Sequence, residues 1–491
     1  MEMNTNKKID IFALTDCHQE ARKLCGLFSG IIKRAPQNGK NTLICDCGDL
    51  FKGIYDRELC LKSYMALRQQ LPEAKIVIAV GNNDFGFNSE QFKFLQQAAS
   101  RFNKANIHVL CANLFDAETE TWPKWVDPYI LLEINGKKVM ITAFCVNYIN
   151  LRKYNLSLNN ITESFLQLKE VIHHINPDAF IILNHALRTS SAELWQAAQE
   201  NNIKVDLIIG GHEHSPVEPN VERRIYYPLA FSRNALHFEM QFLPCGTSLE
   251  CKEIIDSKEE PVAEQFEAPL ALFERQAGLN IPVAPSTLDL ARRYSDFCPL
   301  GSFVADQMRA AAKADIAMLS TGYLTHALCY EKDKILTMYN LERVLSAETP
   351  VQTVTVSALQ LKSVFNNAVR NRYTQQYGNT RFLQCSQNIA LVCARNKDNN
   401  GEIKQIFINN EPLFDDEGKP LHPQDEYICA IDPFIGFGEL GFDTLRPLDK
   451  ETLMKNNQLV RIKDLIYKAV KEAANKYPAG SSYPYAKMTD L

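Results

Sequence analysis

The sequence lacks the features that mark several large classes of protein. No apolar run approaches the roughly 20 residues that a membrane-spanning helix needs. No CxxC…CxxC pattern of zinc ligands occurs among the 14 cysteines. Basic residues are not in excess, since 53 lysines and arginines stand against 58 aspartates and glutamates, for a net charge of −5. Without a global positive field, we expect neither a nucleic-acid polymer nor a membrane as partner, so an anionic ligand must be met by local cations.

The N-terminus also lacks an apolar segment of the secretory type. The segment of eight residues before the strand-like run that begins at Ile9 is short and polar. Many cysteines lie in apolar runs, where a free thiol behaves as a small core residue. These features favour a reducing compartment, and we predict a cytoplasmic protein. A clipped signal or export by a signal-independent route remains the alternative, and the oligomeric state is left open.

Short β-branched runs alternate with amphipathic helical patterns from residue 9 to about residue 240. The predicted strands are Ile9–Leu14, Thr42–Cys47, Ile76–Val80, Ile107–Cys111, Val139–Phe144, Ala179–Leu183 and Leu207–Ile209. The predicted helices are Glu20–Lys33, Arg57–Gln70, Ser89–Phe102, Glu163–His174 and Ala192–Asn201. This alternation predicts an α/β layered domain, in which ligands gather beyond the carboxyl ends of the strands.

The composition changes after residue 242. A polar stretch, a helical segment and the proline-punctuated Ile281–Ser286 indicate a boundary between domains. Beyond it, helices mix with hairpins, as expected for an α+β domain with its own core. We predict an N-terminal domain over residues 9–242, a helical linker over 243–289, a C-terminal α+β domain over 290–475 and an extended tail over 476–491.

Side chains that can bind metal follow five of the predicted strands. They are Asp16 and His18, then Asp49, then Asn82 (followed by Asn83 and Asp84), then His185, and finally His212 and His214. Taken singly, a histidine after a strand is more often structural and a Gly-Asp pair is usually a turn. Caps and turns therefore remain the alternative. Five groups that together supply imidazole, carboxylate and amide predict a metal centre.

The size of this set indicates two metal ions. Seven candidate ligands (Asp16, His18, Asp49, Asn82, His185, His212, His214) exceed what one tetrahedral ion takes. A carboxylate shared by two ions is how hydrolytic bimetal centres are built. Imidazole mixed with carboxylate suits Zn²⁺, Mn²⁺, Fe or Co better than Ca²⁺ or Mg²⁺. Cys17 lies between two candidates, but strand alternation turns it to the opposite face, so we interpret it as structural.

The motif order DxH, GD, GN, H and GHxH resembles the calcineurin-like metallophosphoesterases. Further similarity lies at Ala112-Asn113, Asn135–Lys138, Asp306, Met308-Arg309, Ala314–Ala317, Phe382–Gln384 and Gly438–Phe442. Over residues 9–475 the arrangement is similar to the two-domain 5′-nucleotidase and UDP-sugar hydrolase family. The resemblance implies an N-terminal α/β-sandwich dimetal domain and a C-terminal nucleotidase-type substrate-binding domain, acting on a nucleotide or a related small phosphate ester.

The resemblance also implies roles for individual residues. One ion would be held by Asp16, His18, Asp49 and His214, and the other by Asp49 (bridging), Asn82, His185 and His212. Asn83 and Asp84 occupy the catalytic motif, and Asn82 and Arg309 are expected to contact the substrate. Phe382 and Phe442 stand where family members sandwich the nucleoside base, although for either residue alone a core position is the simpler interpretation.

Two departures from the family pattern bear on activity. The family motif Gly-Asn-His-Asp/Glu-Phe-Asp carries a His–Asp dyad, but this chain has Asn83 and Gly86 at those positions. An amide can donate a hydrogen bond, yet it cannot act as a general acid. The family's Asn-Gly-Gly-x-Ile-Arg loop appears here as Ser320–Thr325, without the arginine. We therefore predict a dimetal phosphate-ester hydrolase, with a metal-binding but catalytically impaired nucleotide-binding or regulatory protein as the alternative.

Overall fold

The computed structural model describes residues 7–18, 20–51, 57–86, 89–147, 151–214, 216–345, 349–373, 382–438 and 441–491. Most of the polar N-terminal segment therefore lies outside the described residues, as do Glu439 and Leu440 of the last family-like motif. The chain divides into two compact units, Met1–Phe273 and Glu274–Leu491. Among the described residues, no helix combines the length and apolar character that crossing a bilayer requires.

The N-terminal unit contains two large sheets, of six and five strands, flanked by helices. Its strands are β1 Lys8–Leu14, β2 Thr42–Asp46, β3 Lys75–Ala79, β4 Ile107–Leu110, β5 Leu114–Asp116, β6 Tyr129–Ile134, β7 Lys137–Cys145, β8 Leu156–Leu158, β9 Ala179–His185, β10 Leu207–Gly210, β11 Ile225–Tyr226, β12 Asn234–Leu243 and β13 Gly246–Asp256. Its helices are α1 Ala21–Arg34, α2 Arg57–Gln70, α3 Ser89–Lys104, α4 Ile161–Gln167, α5 Lys169–Ile175 and α6 Arg188–Glu200, and α7 Glu264–Gln276 follows at the boundary. One sheet has the order β13-β12-β1-β2-β3-β4 and the other β11-β10-β9-β7-β6.

Strands buried on both faces build this sandwich. Ile11 of β1 and Ile181 of β9 belong to one core between the sheets, whereas their neighbours Phe12 and Phe180 belong to a second core that includes the helices. Successive side chains of a strand point to opposite faces, so an unbroken apolar run can serve two cores at once. The result is a helix–sheet–sheet–helix arrangement, which confirms the predicted α/β sandwich.

Two differences between the structure and the sequence-based elements concern a divided helix and the end of the first domain. The predicted helix Glu163–His174 is two helices, α4 and α5, separated at Leu168. The predicted domain end at residue 242 falls inside a hairpin, because β12 and β13 pair with each other and β12 pairs antiparallel with β1. Residues 246–256 are thus a strand of the first sheet, and the helical part of the predicted linker is α7.

The C-terminal unit is α+β, as predicted. Its strands are β14 Pro282–Pro285, β15 Leu288–Asp289, β16 Ile316–Ser320, β17 Ile335–Thr337, β18 Gln352–Ser357, β19 Leu383–Cys385, β20 Ile389–Arg395, β21 Gly401–Ile408, β22 Glu411–Pro412, β23 Glu426–Ile431, β24 Lys450–Thr452, β25 Met454–Lys455, β26 Gln458–Leu459, β27 Ser481–Ser482 and β28 Lys487–Asp490. Its helices are α8 Pro299–Ala312, α9 Met338–Glu342, α10 Ala358–Val369, α11 Pro433–Gly436 and α12 Ile462–Lys476.

Two sheets organise this unit. Their orders are β19-β16-β23-β18-β24 and β22-β21-β20-β28. The hairpin expected across Asn399-Asn400-Gly401 is formed by β20 and β21. The tail that the sequence predicted to be extended supplies β28, which pairs parallel with β20.

Candidate metal centre

The candidate ligands lie where the strands of both N-terminal sheets end. β1, β2 and β3 are parallel neighbours in the first sheet, and β9 and β10 are parallel neighbours in the second. Parallel strands end at the same edge of a sheet, so the segments that follow them are brought together. Six of the seven predicted ligands lie in these segments, and the seventh, His185, is the last residue of β9.

One group comprises Asp16, His18, Asp49 and His214. One ligand atom from each lies within 4.8 Å of all the others. The Nε2 atoms of His18 and His214 are 2.8 Å apart. Asp16 Oδ1 is 3.1 Å from the former and 3.2 Å from the latter, and Asp49 Oδ2 is 3.4 Å from His18 Nε2. Two imidazole nitrogens and two carboxylates thus face one point.

A second group shares Asp49 with the first. His185 Nε2 lies 3.3 Å from Asp49 Oδ2 and 3.2 Å from Asn82 Oδ1. His212 Nδ1 lies 2.9 Å from the same Asn82 oxygen. The oxygen Oδ2 of Asp49 therefore faces a histidine of each group, which is the position of a bridging ligand.

The donor set fits a pair of transition-metal ions. Bonds of about 2.0–2.1 Å to nitrogen or oxygen in tetrahedral geometry place neighbouring ligand atoms about 3.3 Å apart, and the separations above run from 2.8 to 3.4 Å. The imidazole of His185 is also oriented for coordination. Its Nδ1 lies 2.7 Å from the Cys47 carbonyl oxygen, so Nδ1–H donates there and Nε2 faces the group.

The local backbone is shaped to aim these side chains. Asp16, His18, Asp49 and His212 all adopt positive φ, of 50°, 43°, 59° and 72°. Such conformations are rare for residues other than glycine and cluster at functional sites. Gly81 is required for a different reason, because a Cβ there would lie 2.2 Å from Asp49 Oδ1. The turn after β3 can approach Asp49 only with glycine at this position.

Buried carboxylates hold the ligand-bearing turns in place. Asp84 accepts hydrogen bonds from the backbone N–H groups of Asp49 (3.0 Å), Phe51 (2.7 Å) and Gly81 (2.8 Å), so it joins the turns after β2 and β3. Asp46 accepts from Gly48 N–H at 2.9 Å and from the hydroxyl of Tyr64.

Cys17 is directed away from the candidate ligands. Its Sγ faces that of Cys60 at 3.7 Å, and both thiols are buried. This orientation agrees with the alternation expected along the first strand and its extension.

The electrostatics of the site favour an ionised Asp16. Burial disfavours charge on Asp16, yet His185, His18 and His214 hold the pKa of Asp16 well below its usual value. Burial opposes the charge of His185 too, but Asp49 and Asp16 raise its pKa to about 10. Burial and the charge of His185 lower the pKa of His212 to about 3. The Asp16 carboxylate is thus charged over the physiological pH range, as a carboxylate that binds a metal ion must be.

Asn83 contacts the shared carboxylate. Its backbone N–H donates to Asp49 Oδ1 at 2.7 Å, and its side-chain amide donates to Oδ2 at 2.5 Å. Gly86 has a φ of +68°, and a Cβ there would lie 2.3 Å from the Cβ of Gln91. Packing therefore disfavours any larger residue at position 86.

Of the residues predicted to bind substrate in the C-terminal unit, the two phenylalanines are buried. Phe382 and Phe442 are each 1% exposed and belong to the core of this unit, with Phe382 packed edge-to-face on Phe297. A buried ring cannot stack on a base in this conformation, so their role remains a prediction. Arg309 lies on α8 with its Nε 3.8 Å from Asp306 Oδ1. The Ser320–Thr325 segment begins at the end of β16.

Sequence reasoning did not single out the loop between β11 and β12. Phe231 of this loop packs its ring on His18 and His214 and donates its backbone N–H to the Asp16 carbonyl oxygen. A lone phenylalanine in a loop carries no periodic or motif signal. Only the fold brings it to the candidate ligands.

Residues 9–216 match the calcineurin-like phosphoesterase family, and residues 278–447 match the 5′-nucleotidase C-terminal domain. No curated protein sequence matches the chain significantly. Among solved structures, a 5′-nucleotidase precursor from Thermus thermophilus is 16% identical with a TM-score of 0.76, covering 98% of this chain and 99% of that one. A 5′-nucleotidase from Candida albicans is 13% identical with a TM-score of 0.65, covering 94% and 98%.

A third similar structure is described as a sulfate thiohydrolase. This protein, SoxB from Thermus thermophilus in complex with glycerol, is 13% identical with a TM-score of 0.70, covering 95% of this chain and 82% of that one. At such identities these likenesses show the shared two-domain fold. Calcineurin-like phosphoesterases use a centre of two metal ions, and nucleotidases act on small phosphate esters. The chain belongs to the calcineurin-like phosphoesterases that carry a 5′-nucleotidase C-terminal domain, and is a metal-dependent phosphoric ester hydrolase by family.

Proposed function

We propose that this protein removes phosphate from a nucleotide or a related small phosphate ester, using two divalent ions chosen from Zn, Mn, Fe and Co. The first ion is held by Asp16, His18, Asp49 and His214, and the second by Asp49, Asn82, His185 and His212. The observation that carries the proposal is the convergence of both groups on one carboxylate oxygen, Asp49 Oδ2, which faces His18 and His185 at 3.4 and 3.3 Å.

With two divalent ions held by these residues, the centre would present positive charge to a phosphoryl group. When bound, a pair of divalent cations neutralises phosphoryl oxygens and lowers the pKa of a coordinated water. Asp49 orients both halves of the centre, and Asp84 fixes the turn that carries Asp49. Asp84 is thus proposed to position a ligand rather than to contact substrate, because both its oxygens accept backbone N–H groups.

Asn83 is proposed to stand beside the reacting phosphoryl group. One hydrogen of its amide is engaged by Asp49, and the second can donate to a phosphoryl oxygen. Because an amide has no proton to give up, the leaving alcohol must take its proton from water. We therefore expect a slow enzyme. Asn82 contributes its Oδ1 to the second ion and its amide N–H groups to the phosphate.

A second candidate function follows from the residues at positions 83 and 86. A chain without the His–Asp dyad, with glycine held at residue 86 by packing, could bind a phosphate ester without turning it over. Arg309 would then serve in ligand binding by the C-terminal unit, and Phe382 and Phe442 would join it only after a rearrangement that exposes their buried rings. This protein would be a metal-dependent nucleotide-binding or regulatory protein.

Two measurements on the full chain separate these functions. Elemental analysis after reconstitution is expected to give two transition-metal ions per chain; fewer than one would contradict the metal centre itself. Phosphate release from AMP, a UDP-sugar, a cyclic nucleotide and an aryl phosphate, each with Mn²⁺, Zn²⁺, Co²⁺ or Fe²⁺, is expected to exceed that of an Asp49→Asn control. Background rates with two ions bound would favour the binding protein.

A further inference from the structure

One loop outside the proposed ligand set packs against the residues proposed to hold the first ion. In residues 230–233, the backbone N–H of Phe231 donates to the carbonyl oxygen of Asp16 at 2.7 Å. Its ring centroid lies 5.4 Å from that of His18 and 5.1 Å from that of His214. A single residue thus contacts three of the four proposed ligands without offering a ligand atom of its own.

The backbone of this loop is held in an unfavourable conformation. Phe231 has a φ of +65° and the buried Ser232 that follows has a φ of +48°, so two consecutive residues with side chains occupy the left-handed region. Arg233 holds the loop closed by donating from Nε to the Ala230 carbonyl (2.9 Å) and from Nη2 to the His214 carbonyl (3.2 Å). Such conformations persist where surrounding contacts over-determine them.

The ring of Phe231 restricts the two imidazoles it touches. His18 and His214 meet edge-to-face, with centroids 4.6 Å apart, and the phenyl group packs against both. An imidazole that is free to turn about its Cβ–Cγ bond spends little time with Nε2 directed at the ion. Apolar packing keeps both Nε2 atoms beside Asp16 Oδ1 without competing for the metal, as hydrogen-bonding partners do elsewhere in metal sites.

We propose that Phe231 is a positioning residue for the first metal ion, acting through the orientation of His18 and His214 and the placement of the Asp16 backbone. The second ion, whose proposed histidines are His185 and His212, is not expected to depend on it. This inference rests on the proposed function, since it takes the two ligand groups from there.

The test is a calorimetric titration of the metal-free full chain with Zn²⁺, together with the visible spectrum of the Co²⁺-loaded protein. In Phe231→Ala, binding of one ion is expected to weaken about 10- to 100-fold, with the other dissociation constant unchanged and the Co²⁺ bands altered. Phe231→Gly relaxes the backbone but lacks the ring, and is expected to show the same loss. Phe231→Tyr keeps the ring and is expected to bind as the wild type does.

A matched control removes a phenyl group elsewhere in the same unit. Phe115 packs on Trp122 with centroids 5.6 Å apart, and Phe115→Ala is expected to lower thermal stability while leaving both dissociation constants unchanged. If the wild type, Phe231→Ala and Phe231→Gly all bind two Zn²⁺ ions tightly, the inference is overturned. The proposed ligand set would not be affected by that result. A wild-type chain that binds less than one Zn²⁺ would refute the proposed function and the inference with it. If Phe231→Ala does not fold, Phe231→Gly and Phe231→Tyr decide the outcome.

Discussion

Replacing Asn83 with histidine tests whether the lost imidazole limits turnover. The backbone N–H of residue 83 would keep its bond to Asp49 Oδ1, which is 2.7 Å long and independent of the side chain. The amide's bond to Asp49 Oδ2 would be lost, and a ring that can carry a proton would stand in its place. The side chain is partly exposed, so the larger imidazole has room.

The expected gain in kcat is limited by Gly86, the second residue at which this chain departs from the His–Asp dyad of the family. A donor aimed at charge that develops in the transition state commonly contributes about 10²–10³ in kcat. Loss of the group that orients such a side chain costs about 10- to 100-fold, and Gly86 cannot supply a carboxylate. We therefore expect Asn83→His to raise kcat about tenfold with little change in KM. Adding Gly86→Asp is expected to destabilise the protein, because a Cβ there would meet that of Gln91 at 2.3 Å.

The assay is phosphate release from AMP at saturating Mn²⁺, with bound metal measured in each variant. Asn83→Gln, which keeps the amide, is the control and is expected to show no gain. The gain should be largest below about pH 6.5, where an unperturbed imidazole is protonated, and should shrink as the pH rises. Unchanged kcat with two ions bound, or an equal gain in Asn83→Gln, would refute the idea that a charged donor is missing.

Three further predictions concern the support of the centre. Asp49→Asn removes the shared carboxylate, so metal content is expected to fall from two ions to less than one by elemental analysis; a variant that keeps both ions would contradict the bridging role. Gly81→Ala places a Cβ 2.2 Å from Asp49 Oδ1, and it is expected to weaken Zn²⁺ binding more than tenfold in a calorimetric titration, whereas an unchanged affinity would show that the turn can shift. Burial raises the pKa of Asp46 to about 7, so this carboxyl destabilises the metal-free fold increasingly as pH rises from about 4 to 7. The advantage of Asp46→Asn in free energy of unfolding should therefore grow by about 2.6 kcal/mol between pH 5 and pH 8 in urea titrations; a pH-independent difference would refute a raised pKa.

Much of the N-terminal fold was predictable because its signals are local. The strand that ends at Leu14 and the helix Arg57–Gln70 follow from apolar periodicity, and the structure has them where the pattern predicts. Asp16 and His212 belong to separate motifs almost 200 residues apart. Their approach follows from a general rule, since parallel strands deliver their carboxyl ends to one edge.

Other features depend on long-range packing and leave no pattern in the sequence. The break at Leu168 interrupts an amphipathic repeat that looks continuous. β13 resembles a polar linker because most of its side chains are exposed or half-buried and only Thr247 and Ile255 are buried. The contact of Phe231 with two histidines requires three separate loops that meet only in the folded chain.

The two ligand groups draw on both sheets of the sandwich. Asp16, Asp49 and Asn82 follow strands of the first sheet, whereas His185 and His214 come from the second. A cation coordinated there would therefore add a cross-link between two layers whose facing strands pack through an apolar core. Its release would loosen the sandwich at the edge where chemistry is expected. Thermal unfolding should accordingly shift upward with the logarithm of free metal concentration, and a chelator should lower the melting temperature of the wild type but not of Asp49→Asn.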